Sequence, residues 1–436
     1  HGILHSFPTR RSSDLVDEAR LFPQSSSPGR QPRCPLGIDI LGFVRCLREG
    51  EISAAYDKIR EKNELPGVCG RVCSAPCEED FIIGGKQMEV DVRALERFAA
   101  DHGRPRLFRR KQYEQQGAMV AVVGSGPAGL SAAACLARSG FRVTVFESLP
   151  QLGGMLRYGV AGFRLSKDIL NAEIEMIRDL GVQFQANCCI GRTVTLEELY
   201  QQGFAAVLLA VGRQYPAPLK DQGTDAHHVI CASEVLLKLG ASEENFIREF
   251  QHRLGHTIVV IGDHELALDC ARACRRLKDK KVKLVFARTE EDLLCHRNEI
   301  EQAKAEGVEF EAMMHFQKVC LSDDGDVCGI QCGRMDYADQ DGQWRLMPVP
   351  DSQVVVEADT VIMTRGQTVN PDIFKISSFA KLTREGFLAV DPETSRVHDN
   401  IFAAGHAVMA QDGIVYAMRS GVHAAEKIIE FLSGGS

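Results

Sequence analysis

The chain has 436 residues, 44% of them hydrophobic and 25% charged, with a formal net charge of −8. That length supports two or three domains with sizeable cores, and the acidic balance leaves no electrostatic footprint for nucleic acid. No apolar run approaches the ~20 residues that a bilayer helix needs, so no membrane association is expected. The longest run, FAAVLLAVG (204–212), suits a buried strand, and the basic cluster RRLKDKKVK (275–283) suits a solvated helix end and loop.

Fifteen cysteines are scattered through the chain, and no segment with the apolar middle of a signal peptide precedes them. That pattern points to a reducing compartment, the cytoplasm, rather than to a disulfide framework. Cys135, Cys270 and Cys274 fall in helical patterns and read as small core residues. HSFPTRRSSDL (5–15) resembles the translation of a sequencing adapter, and its Arg/Ser content also has the form of a targeting segment. Residues 1–33 are therefore set aside as an unreliable, disordered tail that ends in the Ser/Pro/Gly-rich stretch SSSPGRQP (25–32).

Residues 34–116 read as a small helical domain. LGFVRCLREG (41–50), ISAAYDKIREKN (52–63) and VDVRALERFAADHG (90–103) carry apolar residues at helical spacing. Between the second and third lies CGRVCSAPCEEDF (69–81), with thiols at Cys69, Cys73 and Cys77; CPLGID (34–39) lies upstream. By spacing alone this is either a metal site, which a small domain can use in place of a large core, or a set of incidental buried thiols.

A polar connector, RPRLFRRKQYEQQG (104–117), leads into a strand–helix–strand unit made of AMVAVVG (118–124), PAGLSAAACLARSG (127–140) and FRVTVFES (141–148). GSGPAG (124–129) places Gly124, Ser125, Gly126, Pro127, Ala128 and Gly129 in the G-x-G-x-x-G pattern of a dinucleotide loop. In that pattern Gly124 makes the tight turn, Gly126 lets a pyrophosphate approach the backbone, and Gly129 packs the helix on the strand. Glu147, followed by Ser148, stands where a carboxylate accepts hydrogen bonds from a ribose. A ligand-free tight turn is the competing reading. A second such unit follows at HTIVVIG (256–262), ELALDCARACRRL (265–277) and KVKLVFA (281–287), so two nucleotide-binding-type domains are expected.

GSGPAGLSAA, the ribose acid and GGMLRYGVAGFRLSKDIL (153–170), taken in that order, resemble the glutamate synthase small-subunit family of FAD/iron–sulfur oxidoreductases, to which dihydropyrimidine dehydrogenase is related. LLAVG (208–212) and NIFAAGHAV (400–408) resemble that family's later FAD-contacting segments. The resemblance implies an α/β fold with an N-terminal helical iron–sulfur domain (34–116). An FAD domain in two parts (117–254 and 367–436) then encloses an inserted NAD(P)H-type domain (255–366). It implies FAD contacts at Gly154, Met155, Leu156, Arg157, Gly212, Gly405 and His406, besides the first loop and Glu147. His406 stands where the family has an Asp that accepts a hydrogen bond from the FAD ribityl chain; a neutral imidazole nitrogen also accepts one.

In the second unit Gly262 and Ala267 keep the family's G-x-G-x-x-A frame, but His264 replaces the middle glycine and puts a Cβ in the pyrophosphate's usual approach. Arg288 matches one of two arginines that the family uses for an NADP 2′-phosphate, and Ala287 replaces the other. NADP over NAD is the expectation, with a solvated strand-end charge as the alternative for Arg288. Whether NADPH or NADH still binds is left open.

The family's cluster domain holds two [4Fe–4S] clusters. The resemblance assigns the ligands of one to Cys34, Cys73, Cys77 and Glu96, all present here. The other set is absent: residues 18–33 contain no Cys, and Phe81 stands at its fourth position. Cys69 is read as a nearby thiol that does not ligate. One cluster is therefore expected, in an electron-input subunit passing electrons from NAD(P)H through FAD and the cluster to a larger partner subunit. An FAD-binding relay or structural subunit is the alternative. No side chain is assigned as catalytic acid, base or nucleophile, because the hydride chemistry belongs to the cofactor. No C-x-x-C or C-x4-C pair follows the flavin motif to support disulfide reduction.

Overall fold

The structure, a computed structural model, describes residues 34–79, 82–83, 86–87, 91–103, 117–213, 215–216, 226–340, 343–364, 367–369, 380–411 and 413–434. The tail 1–33, Phe81 and most of the connector at 104–117 lie outside the described residues. The chain divides into two compact units. The larger comprises the described residues up to Arg157, those from Phe163 to Gln214 and those from Thr368 onward. The smaller is Tyr215–Gln367 with Tyr158–Gly162.

The larger unit opens with helices α1 (Ile40–Arg48), α2 (Ile52–Arg60), α3 (Pro66–Val72) and α4 (Val92–His102). Asp39 caps α1 by accepting from Gly42 N at 2.9 Å, and Ile40, Phe43, Val44 and Leu47 form its buried face. Helix α3 starts at Pro66, whose missing N–H costs nothing in a first turn, and stops where Cys73 turns extended at ψ 135°. Asp91 caps α4 through Ala94 N at 2.8 Å.

Strand β1 (Met119–Val123), helix α5 (Pro127–Arg138) and strand β2 (Arg142–Phe146) follow, then α6 (Lys167–Arg178), β3 (Gln183–Gln185) and β4 (Phe204–Leu209). The sheet order is Arg396–His398, Ile401–Ala403, β4, β1, β2, β3, parallel except for the first pair. Val120–Val123 are buried on both faces, as expected of a parallel strand covered by helices. The long helix Ile414–Leu432 packs along α5 so closely that a Cβ on Gly421 would fall 2.1 Å from Ala128 O.

Two polar ties join the cysteine-bearing helices to this α/β layer. Glu173 on α6 accepts from Gly67 N at 2.5 Å and Val68 N at 3.1 Å, at the start of α3. Arg138 on α5 makes a bidentate pair with the buried Glu64.

In the smaller unit, β5 (Val229–Cys231), β6 (Thr257–Ile261), α7 (Glu265–Arg275), β7 (Lys281–Val285) and β8 (Glu309–Glu311) precede a three-stranded antiparallel sheet. That sheet is built of β9 (Met314–Leu321), β10 (Val327–Gln340) and β11 (Gln343–Glu357), and β12 (Thr360–Met363) follows it. The parallel sheet runs β8, β7, β6, β12, β5. The expected boundary at 254/255 is corrected here: β5 pairs with β12, so the second unit already begins at Tyr215. Strands β11 and β12 follow each other closely in the chain but lie in two different sheets. Asp359 lies between them, its carboxylate accepting from His256 N at 2.9 Å and Thr257 N at 3.0 Å.

Candidate functional site

The glycine loop joins β1 to α5. Gly124 has φ +108°, and a Cβ there would fall 2.5 Å from Ala210 O; one on Gly129 would fall 2.0 Å from Gly124 O. Both positions exclude side chains by packing. Gly126 is different: a Cβ on it meets no protein atom within 4 Å. Its lack of a side chain keeps clear the space over the N-terminus of the 12-residue helix α5, where free N–H groups and the helix dipole favour an anion. Pro127 opens that helix, and Ala128 packs under Gly405.

Glu147 is buried with its carboxylate aimed at this loop. Oε2 accepts from Ser125 N at 3.0 Å and from Ser125 Oγ at 2.5 Å, while Oε1 accepts from Leu149 N at 2.9 Å and Ser148 Oγ at 3.2 Å. Ser125 Oγ in turn accepts from Gly153 N at 2.9 Å, which folds the Gly153–Gly154 turn over the first loop; Gly154, at φ +50°, lies against Gly126.

Met155 and Leu156 begin the short helix after that turn, and Leu156 is buried. Arg157 is committed to the turn itself, donating to Leu152 O, Gln151 Oε1 and Asn171 Oδ1. Gly212 follows β4 at φ +66° with open space at its Cβ position. Gly405, at φ +75°, is held by Ser420 Oγ at 3.0 Å. His406 Nε2 lies 3.3 Å from Gly413 O and so carries the proton in that contact, which makes Nδ1 the acceptor nitrogen of the neutral ring. These residues fit a dinucleotide, given the cradle at Gly126 and the buried carboxylate beside it.

Cys34, Cys73, Cys77 and Glu96 line one cavity, together with Cys69, Asn63 and Val415. The thiols come from the turn before α1, the end of α3 and the four-residue helix Pro76–Glu79 after it, and Glu96 from the second turn of α4. The backbone N–H groups of Leu36, Ile38 and Gly37 favour the Cys34 thiolate against its burial. Cys73 Sγ accepts from Ala75 N at 3.3 Å, Ala75 being held at φ +55°.

Burial pushes the Cys34 thiol up to about 11, with the Glu96 carboxylate adding to the shift. Burial and neighbouring acidic groups also raise Cys73 and Cys77 well above the usual thiol range. Burial lifts Glu96 to about 8, against a lowering hydrogen bond from Asn63. Three buried groups and the half-buried Cys34, crowded so that ionisation is opposed, are what a cationic metal centre reverses. Soft thiolates with N–H donors on sulfur fit an iron–sulfur cluster.

Cys69 shares the cavity wall, but its Sγ faces Asn63 Oδ1 at 3.8 Å and Met418 Sδ at 3.6 Å. Asn63 escaped the sequence reading. Its Nδ2 donates to Glu96 Oε1 at 2.7 Å, and its Oδ1 accepts from Leu65 N at 2.8 Å, so it fixes the carboxylate's orientation. No local pattern marks a contact made across that much sequence.

In the smaller unit, Gly262 has φ +154°, and a Cβ there would strike Thr364 Oγ1 at 2.0 Å and Ala267 at 2.9 Å, so the strand–turn–helix frame is intact. His264 caps α7 in an extended conformation, and its Nδ1 is buried with no hydrogen-bond partner among the described residues. That orphaned polar atom beside a helix N-terminus suits a ligand with polar oxygens. Arg288 is already paired: its Nε donates to Asp263 Oδ2 at 2.7 Å.

Two glycine-loop units and a thiol-lined helical domain define the class of FAD- and iron–sulfur-containing oxidoreductases. Residues 118–425 match the pyridine nucleotide-disulphide oxidoreductase family, and residues 8–106 match the 4Fe-4S domain II of dihydropyrimidine dehydrogenase. The second match begins inside the stretch set aside as a tail. The chain is 30% identical to the glutamate synthase [NADPH] small chain of Azospirillum brasilense, over 94% of this chain and 88% of that protein. It is 31% identical to the beta subunit of the NADP(+)-dependent formate dehydrogenase of Moorella thermoacetica, over 93% of this chain and 60% of that one. The FprA oxidoreductase of Mycobacterium tuberculosis, in complex with NADPH, shares the fold at TM-score 0.60 and 19% identity, over 73% of this chain and 85% of that one. The chain belongs to the pyridine nucleotide-disulphide oxidoreductase family, in the branch that joins that fold to a 4Fe-4S domain and includes the glutamate synthase small chain. It spans about three fifths of the length of the formate dehydrogenase subunit and of the Escherichia coli oxidoreductase AegA.

Proposed function

We propose that the chain is an electron-input subunit that takes electrons from NAD(P)H and delivers them, by way of FAD and one [4Fe–4S] cluster, to a larger partner subunit. FAD, when bound, supplies two-electron hydride acceptance, and the cluster supplies one-electron transfer. The chain's own residues bind and orient. Gly124, Gly126 and Gly129 with the N-terminus of α5 hold the pyrophosphate, and Glu147 takes the ribose hydroxyls. Met155, Leu156, Gly212, Gly405 and His406 border the same ligand, with Arg157 bracing the turn. Cys34, Cys73, Cys77 and Glu96 hold the cluster. Gly262, Ala267 and Arg288 belong to the nicotinamide nucleotide site.

The observation that carries this reading is the convergence of three thiols and a buried carboxylate on one cavity whose wall includes Val415. That residue lies on the helix that also packs along α5 of the flavin loop. One helix thus borders both sites, the arrangement a short electron path requires. The relatives named as small or beta subunits, the glutamate synthase small chain among them, support a larger partner. The fifteen free thiols support a reducing, cytoplasmic setting. Among the described residues no helix is long and apolar enough to cross a membrane.

Anaerobic stopped flow tests the reading. Mixing the flavin-loaded protein with NADPH or NADH should bleach the flavin. Bleaching by dithionite but by neither nucleotide would replace this reading with that of a relay subunit, which the Cβ of His264 in the second loop would favour.

A further inference from the structure

We propose that Asp263 sets the nucleotide preference of the second site: by occupying Arg288 it cancels the advantage of a 2′-phosphate, so that the protein accepts NADH and NADPH with similar affinity. The inference rests on the reading of this unit as a nicotinamide nucleotide site. It concerns a residue inside the glycine loop, not the usual acid at the end of the following strand.

Arg288 stands just beyond β7, at the place the family uses for the 2′-phosphate, and its neighbour there is Ala287 rather than a second arginine. Its Nε donates to Asp263 Oδ2 at 2.7 Å. Both ends of this pair are pinned through the backbone. Leu294 N donates to Asp263 O at 2.9 Å, and Met313 N donates to Arg288 O at 3.0 Å. The side chains stay partly open to solvent, Asp263 at 32% and Arg288 at 45%, so a nucleotide can reach them.

A second carboxylate sits in the field of the same guanidinium. Asp292 is held by Tyr337 Oη at 2.6 Å and Thr289 Oγ1 at 2.8 Å, and Arg288 helps keep it ionised. One cation therefore faces two anions. A phosphate arriving at the Nη groups of Arg288 must lie beside the Asp263 carboxylate that accepts from Nε, and like charges so placed oppose binding. A ribose carrying a free 2′-hydroxyl meets no such opposition, because it is uncharged.

Calorimetric titration of the flavin-loaded protein with NADP+ and NAD+ tests the assignment without turnover. The wild type should bind the two within about threefold of each other. In Asp263→Asn the negative charge beside Arg288 is lost, and NADP+ affinity should rise by about tenfold while NAD+ affinity changes little; one charge-assisted hydrogen bond accounts for a change of that size. Adding Arg288→Ala to Asp263→Asn should abolish the gain. A wild type that prefers NADP+ by tenfold or more, or an unchanged ratio in Asp263→Asn, overturns the proposal and leaves the nucleotide site standing. Absence of binding of either nucleotide to every variant overturns both.

Discussion

Glu96 is the buried carboxyl of the thiol-lined cavity. Burial lifts its carboxyl from 4.5 to about 8, so in iron-free protein it folds in the protonated form and must lose that proton to serve as a ligand. A folded-state value above the unfolded one means a contribution present in full below about 4.5 and lost as pH rises through about 8. The loss over that window is on the order of several kcal/mol. Urea unfolding of chelator-treated protein between pH 5 and 8.5 should therefore show falling stability, and Glu96→Gln should flatten the fall. Equal slopes in both proteins would remove Glu96 from this role. The acid at position 96 was legible in the sequence through its motif. Its partner Asn63 was not, because the contact depends on how α4 packs beside the turn before α3.

At the scale of elements, α3 carries Cys69 and ends at Cys73, yet it is only 7 residues long. A helix so short is not stable alone, and it has no side-chain cap of its own. Glu173, reaching across from α6, supplies the missing acceptor for two of its first N–H groups. Glu173→Ala leaves those buried donors without it, at a cost of about 1–3 kcal/mol each. Its denaturation midpoint should fall clearly, whereas Glu173→Gln, which keeps one acceptor, should recover part of the loss. An alanine variant as stable as the wild type would show that α3 is held by packing alone. Sequence periodicity marks α1, α2 and α4 as helices, but a cap supplied from another layer leaves no local trace.

Across the whole molecule, the helical segment surrounds its cavity with thiols where a larger domain would have apolar side chains, so its stability is tied to what the thiols bind. As purified without oxygen, the protein should hold about four irons per chain, the content of one cubane cluster. Removal of the iron should lower the melting temperature. Cys73→Ser should lose the iron and show the same lowering, while Cys69→Ser should keep both iron and stability. Close to eight irons would overturn the one-cluster assignment, and loss of iron in Cys69→Ser would make Cys69 a ligand.

The sequence alone determined the two strand–glycine loop–helix units, because tight turns and close helix packing leave only glycine at Gly124, Gly129 and Gly262. It also determined the helical character of the thiol-bearing segment and the candidate donors Cys34, Cys73, Cys77 and Glu96. Only the tertiary structure decided where the second unit begins, because a strand as short as Val229–Cys231 declares its sheet by pairing and not by composition. The same holds for the pairing of Arg288 with Asp263 and of Glu96 with Asn63. Each joins charged or polar atoms from separate segments, and such contacts follow from packing in three dimensions, not from any periodicity along the chain.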